Sequence, residues 1–150
     1  MNNIYPNPWN FSNLDKNLYS PNRQLKVEYG ALNEIAMGGP LTGETFLILD
    51  GYRINLNIRC GGPIVWNNMS DKIALPTWTD QRKHKIAIID IKDLTLIIYK
   101  KEFRVLYLDR FYENHVRGID SPTHMSTVFD FNLNKEIIES VNNIILHDRT

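Results

Sequence analysis

A chain of 150 residues, 43% hydrophobic and 11% aromatic, is long enough for one well-buried core and too short for two independent domains. Seventeen basic residues balance seventeen acidic ones, which leaves no positive surplus for general binding to nucleic acid or to an anionic membrane surface. A single cysteine, Cys60, excludes an internal disulfide framework and fits a reducing compartment.

The first residues, Met1 to Trp9, carry neither a positive cluster nor an apolar stretch, and no window approaches the length of a membrane span; a cytoplasmic protein is expected. Residues 1–23 are rich in Asn, Pro and aromatic side chains. They read as an irregular arm anchored by Trp9, Phe11, Leu14, Leu18 and Tyr19, with one short helical turn near Leu14 to Tyr19. Residues 24–150 read as a single β domain. Leu25, Val27 and Tyr29 alternate with polar neighbours, as do Tyr52, Ile54, Leu56 and Ile58, and a period of two marks a strand with one buried and one wet face. Glycine and proline punctuate the strands at Gly38-Gly39-Pro40, Asp50-Gly51, Gly61-Gly62-Pro63 and from Gly118 to Pro122; Asp50-Gly51 is the strongest hairpin signal. Strands are predicted at 24–30, 32–37, 44–49, 52–60, 63–66, 72–76, 84–91, 94–100, 103–108 and 127–132. Residues 134–146 fit either a helix, with Ile137, Ile138, Val141, Ile144 and Ile145 on one face, or a strand over 136–140 followed by a turn at Asn142-Asn143; the strand is preferred.

One phrase occurs twice. Ile88-Ile89-Asp90-Ile91 precedes Ile97-Ile98, and Val128-Phe129-Asp130-Phe131 precedes Ile137-Ile138, as two hairpins with short polar turns would be written. The run from Ile64 to Ile91 resembles one blade of the Trp-Ser-Pro-Asp-Gly type of β-propeller repeat, with Trp66, Ile73, Ala74 and Asp90 at the matching positions and Asn68-Met69-Ser70 in place of the family's turn. A closed propeller needs at least four blades of about forty residues, more than this chain holds. The expected fold is therefore all-β: an antiparallel β-sandwich or partly open barrel of propeller-like hairpins. Trp66, Ile88, Leu96, Ile98, Val105, Leu106, Phe129 and Phe131 are expected between its layers.

Chemistry is sparse. Cys60 closes a strand beside glycines with no histidine near it in sequence, which makes it a packing residue. His115, Asp120, Ser121 and His124 lie in or near a glycine- and proline-containing loop but have no metal-ligand spacing, and Asp120-Ser121-Pro122 reads as a turn opener. Asp90 and Asp130, at repeated strand ends, read as caps of free amides before they read as a catalytic pair. His84 sits in the densest charge run, residues 80–85, which reads as a solvated loop. Trp9, Trp66 and Trp78 raise a carbohydrate-binding alternative through ring stacking. The stretch from Tyr107 to Arg117 alternates aromatic and charged residues without phosphate-loop glycines, the composition of a protein contact. Its binding residues would be Asp109, Phe111, Tyr112 and Glu113, with Asp120 nearby; the alternative is that Phe111 and Val116 plug the sheet edge. No metal, cofactor or catalytic residue is expected. A hydrolase centred on His115 and His124 is the second alternative.

In size, neutrality, asparagine-rich style and lack of a catalytic motif the chain is similar to bacterial immunity proteins of the contact-dependent growth-inhibition type. That resemblance implies a non-catalytic inhibitor that covers the active site of one cognate toxin. Against a nuclease, whose cleft is basic, Asp109, Glu113 and Asp120 would supply the complementary charge.

Overall fold

The computed structural model of the protein describes residues 6–123 and 125–145, and it is mainly β. Among the described residues twelve strands follow one 3-10 turn at Lys16–Leu18: β1 Lys26–Tyr29, β2 Asn33–Glu34, β3 Leu41–Leu49, β4 Tyr52–Cys60, β5 Val65–Trp66, β6 Lys72–Trp78, β7 His84–Asp90, β8 Thr95–Phe103, β9 Leu106–Tyr112, β10 His115–Asp120, β11 Thr127–Asn132 and β12 Ile138–Asn143. The larger sheet runs β1-β3-β4-β6-β7-β8-β12, with β2 added to β3 and β5 to β6; the smaller runs β11-β10-β9. Every pairing is antiparallel.

Local chemistry explains the hairpins. Asp50 and Gly51 both take positive φ, 49° and 80°, which is the twist a two-residue turn needs between β3 and β4. Between β7 and β8 the Asp90 carboxylate accepts the N–H groups of Lys92 and Asp93, so this aspartate caps its turn.

The ladder between β4 and β6 is a single residue pair, Cys60 with Thr77. The two halves of the larger sheet meet there and share a core on one side, with Val27, Leu47, Ile54 and Leu56 facing Ile73, Leu75, Ala87 and Ile89. Phe11 and Leu18 of the N-terminal arm are buried in this first core, whereas the Leu14 and Tyr19 side chains are exposed and lie outside it. The opposite face of β6, β7 and β8 carries Ala74, Ile86, Ile88 and Tyr99, and the smaller sheet covers it with Leu106, Leu108, Phe111, Val116 and Phe131. Strands β6 and β7 are therefore buried on both faces, which is why they read as almost unbroken apolar runs.

Several expectations are corrected. The residues predicted for one interlayer core divide between two: Leu96 belongs to the first and Ile88, Leu106 and Phe131 to the second, while Trp66, Ile98, Val105 and Phe129 are only partly buried. The second copy of the repeated phrase is not a hairpin, because β11 pairs with β10 in the smaller sheet and β12 with β8 in the larger. The C-terminal segment is a strand through Asn142-Asn143 rather than a helix or a strand ending before that pair. Of the strand predicted at 32–37, only Asn33 and Glu34 pair; Glu34 then accepts the N–H of Gly38 in the bend that leads to β3.

Gly118 to Asp120, read as a connection, lie inside β10. A Cβ at Gly118 would collide with the carbonyl oxygen of Tyr107, so the glycine is there for close strand approach and not for a turn.

His84 is fully buried instead of lying in a solvated loop. Its ring packs 3.6 Å from that of Trp78, and its Nδ1 accepts the backbone N–H of Leu106 at 2.8 Å. Among the described residues no helix is long and apolar enough to cross a membrane.

Candidate protein-contact face

The inner face of the smaller sheet is spent on the second core, which leaves its outer face to solvent. Strand registers arrange that face in three rows across β9, β10 and β11: Tyr107, Ile119 and Val128; Arg110, Arg117 and Asp130; Tyr112, His115 and Asn132. Alternation along the strands, with a bulge at Asp109 that resets it in β9, puts Leu106, Leu108, Phe111, Val116 and Phe131 on the other side, where all are buried.

One hydrogen-bonded group fixes the polar end. Tyr112 donates its hydroxyl to Asp130 Oδ2 at 3.1 Å, His115 Nδ1 lies 2.9 Å from Asp130 Oδ1, and the two rings stack 5.1 Å apart at 9°. The His115 contact, with help from Tyr112 and Arg117, holds the Asp130 carboxyl below its usual range. Desolvation and the Asp130 carboxylate raise the Tyr112 phenol. The Arg110 guanidinium lies 5.0 Å from the Tyr112 ring centre, a cation–π distance. These contacts reduce the rotamer freedom of Tyr112 and His115, so less entropy would be lost if a partner covered them.

The residues expected to bind a partner separate. Asp109 and Glu113 are exposed and Tyr112 is half-buried on the face itself. Phe111 is only 5% exposed and belongs to the second core with Val116, so both plug the sheet. Asp120 Oδ1 accepts the N–H groups of Arg104 and Val105 at 3.0 and 3.2 Å, which commits it to the corner between β8 and β9. Asp130, read as a strand-end cap, instead organises the face. Tyr107 and Arg117, the two ends of the stretch read as a contact, both lie on the face, whereas sequence reasoning passed over Ile119 and Val128; the alternation of buried and exposed positions in β10 would have revealed Ile119 had Gly118 not suggested a turn.

A groove of about 870 Å³ borders the face, running from Arg110, Tyr112 and Glu113 to Asp71, Asp90 and Lys92. The Asp71 carboxyl is held low by the Asn67 amide and then by Lys92, 3.4 Å away.

The other candidates lie elsewhere. Cys60 is buried and its thiol is pushed up to about 12 by desolvation, against weaker hydrogen bonds from Thr45 and Thr77. His124 falls outside the described residues, and among those described no three His, Cys, Asp or Glu side chains are placed to hold a metal. Trp9, Trp66 and Trp78 are all partly buried, and Trp78 donates to the Leu41 carbonyl at 3.4 Å. No protein-family model, curated protein or solved structure matches the chain.

Proposed function

We propose that the protein is a non-catalytic binding module that holds one protein partner against the outer face of β9, β10 and β11. The observation that carries this reading is the three-row face, in which tyrosine, arginine and histidine stand on rigid strands with the Tyr112–Asp130–His115 group already ordered. Tyrosine and arginine are the side chains that most often dominate protein interfaces, and a broad sheet face suits a macromolecule better than a small ligand. The His115–Asp130 pair resembles part of a catalytic constellation, but it stands on an open face with nothing among the described residues to exclude water.

The narrower reading is an immunity protein that neutralises a cognate toxin by occlusion. Asp109 and Glu113 would then form an acidic rim, while Arg110 and Arg117 in the middle row favour partner carboxylates at the centre of the contact. Asp120 has no part in it.

Co-expression with the product of the neighbouring reading frame tests this. A neighbour that arrests growth alone, is silenced by the wild-type chain, and escapes the Tyr107→Ala/Arg117→Glu variant supports the reading. A harmless neighbour removes the immunity reading, and silencing that survives substitution across the face removes the face.

A further inference from the structure

The larger sheet has two lateral edges, and the chain treats them differently. At β1 the arm covers the edge: the Asn13 side chain accepts the N–H of Tyr29 and donates to its carbonyl, both at 2.8 Å, and Tyr19 bridges Lys26. At the other end, among the described residues, β12 pairs only with β8. Ile144 donates its N–H toward β8, to the Leu94 carbonyl, so alternation turns the N–H and C=O groups of Val141 and Asn143 outward along the free edge. The same segment exposes Ile137, Ile138, Val141 and Ile145, with Val141 at 55%. A free strand edge lined with β-branched side chains is a template for another strand.

The sequence of this edge identifies its occupant. Residues 137–145 read Ile-Ile-Glu-Ser-Val-Asn-Asn-Ile-Ile, which is nearly the same in both directions about Val141. From this we infer that β12 pairs antiparallel with β12 of a second copy, with a two-fold axis at Val141. In that register Ile137 and Ile138 face Ile145 and Ile144 of the second copy, and Ser140 faces Asn142. The one charged residue, Glu139, meets the neutral amide of Asn143. Its charge is already matched within its own copy by Lys85 at 2.6 Å, so the pairing brings no like charges together. Such an interface is self-complementary and closes as a dimer. The bulge between Ile138 and Ser140 interrupts the ladder there and keeps the pairing short.

The six residues of β12 span about 20 Å, so the covered strip is roughly 400 Å² per copy, about half of the ~800 Å² of a standard interface. The dimer is accordingly weak and dissociates on dilution. It uses a different edge from the contact face proposed above and does not depend on it.

Cysteine cross-linking of the full chain tests the register, because the native Cys60 is buried and silent. In the two-fold pair both 141 positions are opposite each other at about 5.5 Å, within disulfide reach, whereas the two 143 positions are about 13 Å apart. Under mild oxidation Val141→Cys should form a disulfide-linked dimer at least about tenfold faster than Asn143→Cys. In sedimentation velocity the wild-type chain should shift from monomer to dimer with concentration, and Val141→Lys should stay monomeric with an unchanged circular dichroism spectrum. A wild-type chain that remains monomeric at millimolar concentration, assemblies larger than a dimer, or equal cross-linking at both positions would overturn the inference.

Discussion

His84 links a buried side chain to a measurable pH dependence. Because Nδ1 accepts a backbone N–H, the neutral ring carries its proton on Nε2, which has no hydrogen-bond partner among the described residues. Desolvation lowers its pKa to about 3. The unfolded chain, with a histidine near 6.5, binds this proton first, so the contribution is complete above 6.5 and is lost as pH falls toward 3. The slope is about 1.4 kcal/mol per pH unit within that window. In urea titrations from pH 7 to 4, His84→Asn, which keeps an acceptor for Leu106, should have a flatter pH dependence than wild type despite lower stability at pH 7. Equal slopes would place the histidine in water. Asp120 offers a second test: Asp120→Ala leaves the N–H groups of Arg104 and Val105 without their acceptor, at a cost of about 1–3 kcal/mol in chemical denaturation, and Asp120→Asn should recover most of it.

At the scale of elements, hairpins with local turn chemistry were legible and those held from a distance were not. Asp50-Gly51 and Asp90 write their turns into the adjoining residues, and the β3–β4 and β7–β8 hairpins follow. The corner between Phe103 and Leu106 has no glycine or proline; its amides are satisfied by Asp120, fifteen and sixteen residues away, and the strands predicted at 94–100 and 103–108 are redrawn accordingly. Gly118 misled in the opposite sense, since a glycine chosen for close approach looks in sequence like a glycine chosen for a turn. Gly118→Ala should destabilise the smaller sheet by about 1–3 kcal/mol, because the added methyl meets the backbone of β9. Amide exchange should then accelerate in β9 to β11 before it does in β3 and β4. A uniform increase, or none, would contradict the reading of that glycine.

For the whole molecule the two cores are joined through β6 and β7. Ile88 and Ile89 are adjacent in sequence yet face different cores. Replacing either by alanine should cost about 2–5 kcal/mol and should leave one cooperative transition, with tryptophan fluorescence and circular dichroism coinciding. If Ile88→Ala instead produced two transitions, the smaller sheet would be melting alone and the molecule would consist of two folding units. The same sharing explains where the proposed contact face lies: a sheet that must bury one side against β6 to β8 has only its other side to offer.

Composition and period alone determined the class of this protein, because alternation and turn residues act over a few positions and survive any arrangement of the strands. They also located the stretch from Tyr107 to Arg117 as a surface worth reading. Tertiary structure alone decided which of those side chains reach water, since the sheet that covers β6 to β8 takes Phe111 inward and leaves Tyr112 outside. It also sent the second copy of the repeated phrase into two sheets. The apolar pattern of β11 and β12 is the same whichever strand they join; burial of Phe131 in the second core holds β11 beside β10, while β12, which contributes to neither core, adds to the edge at β8.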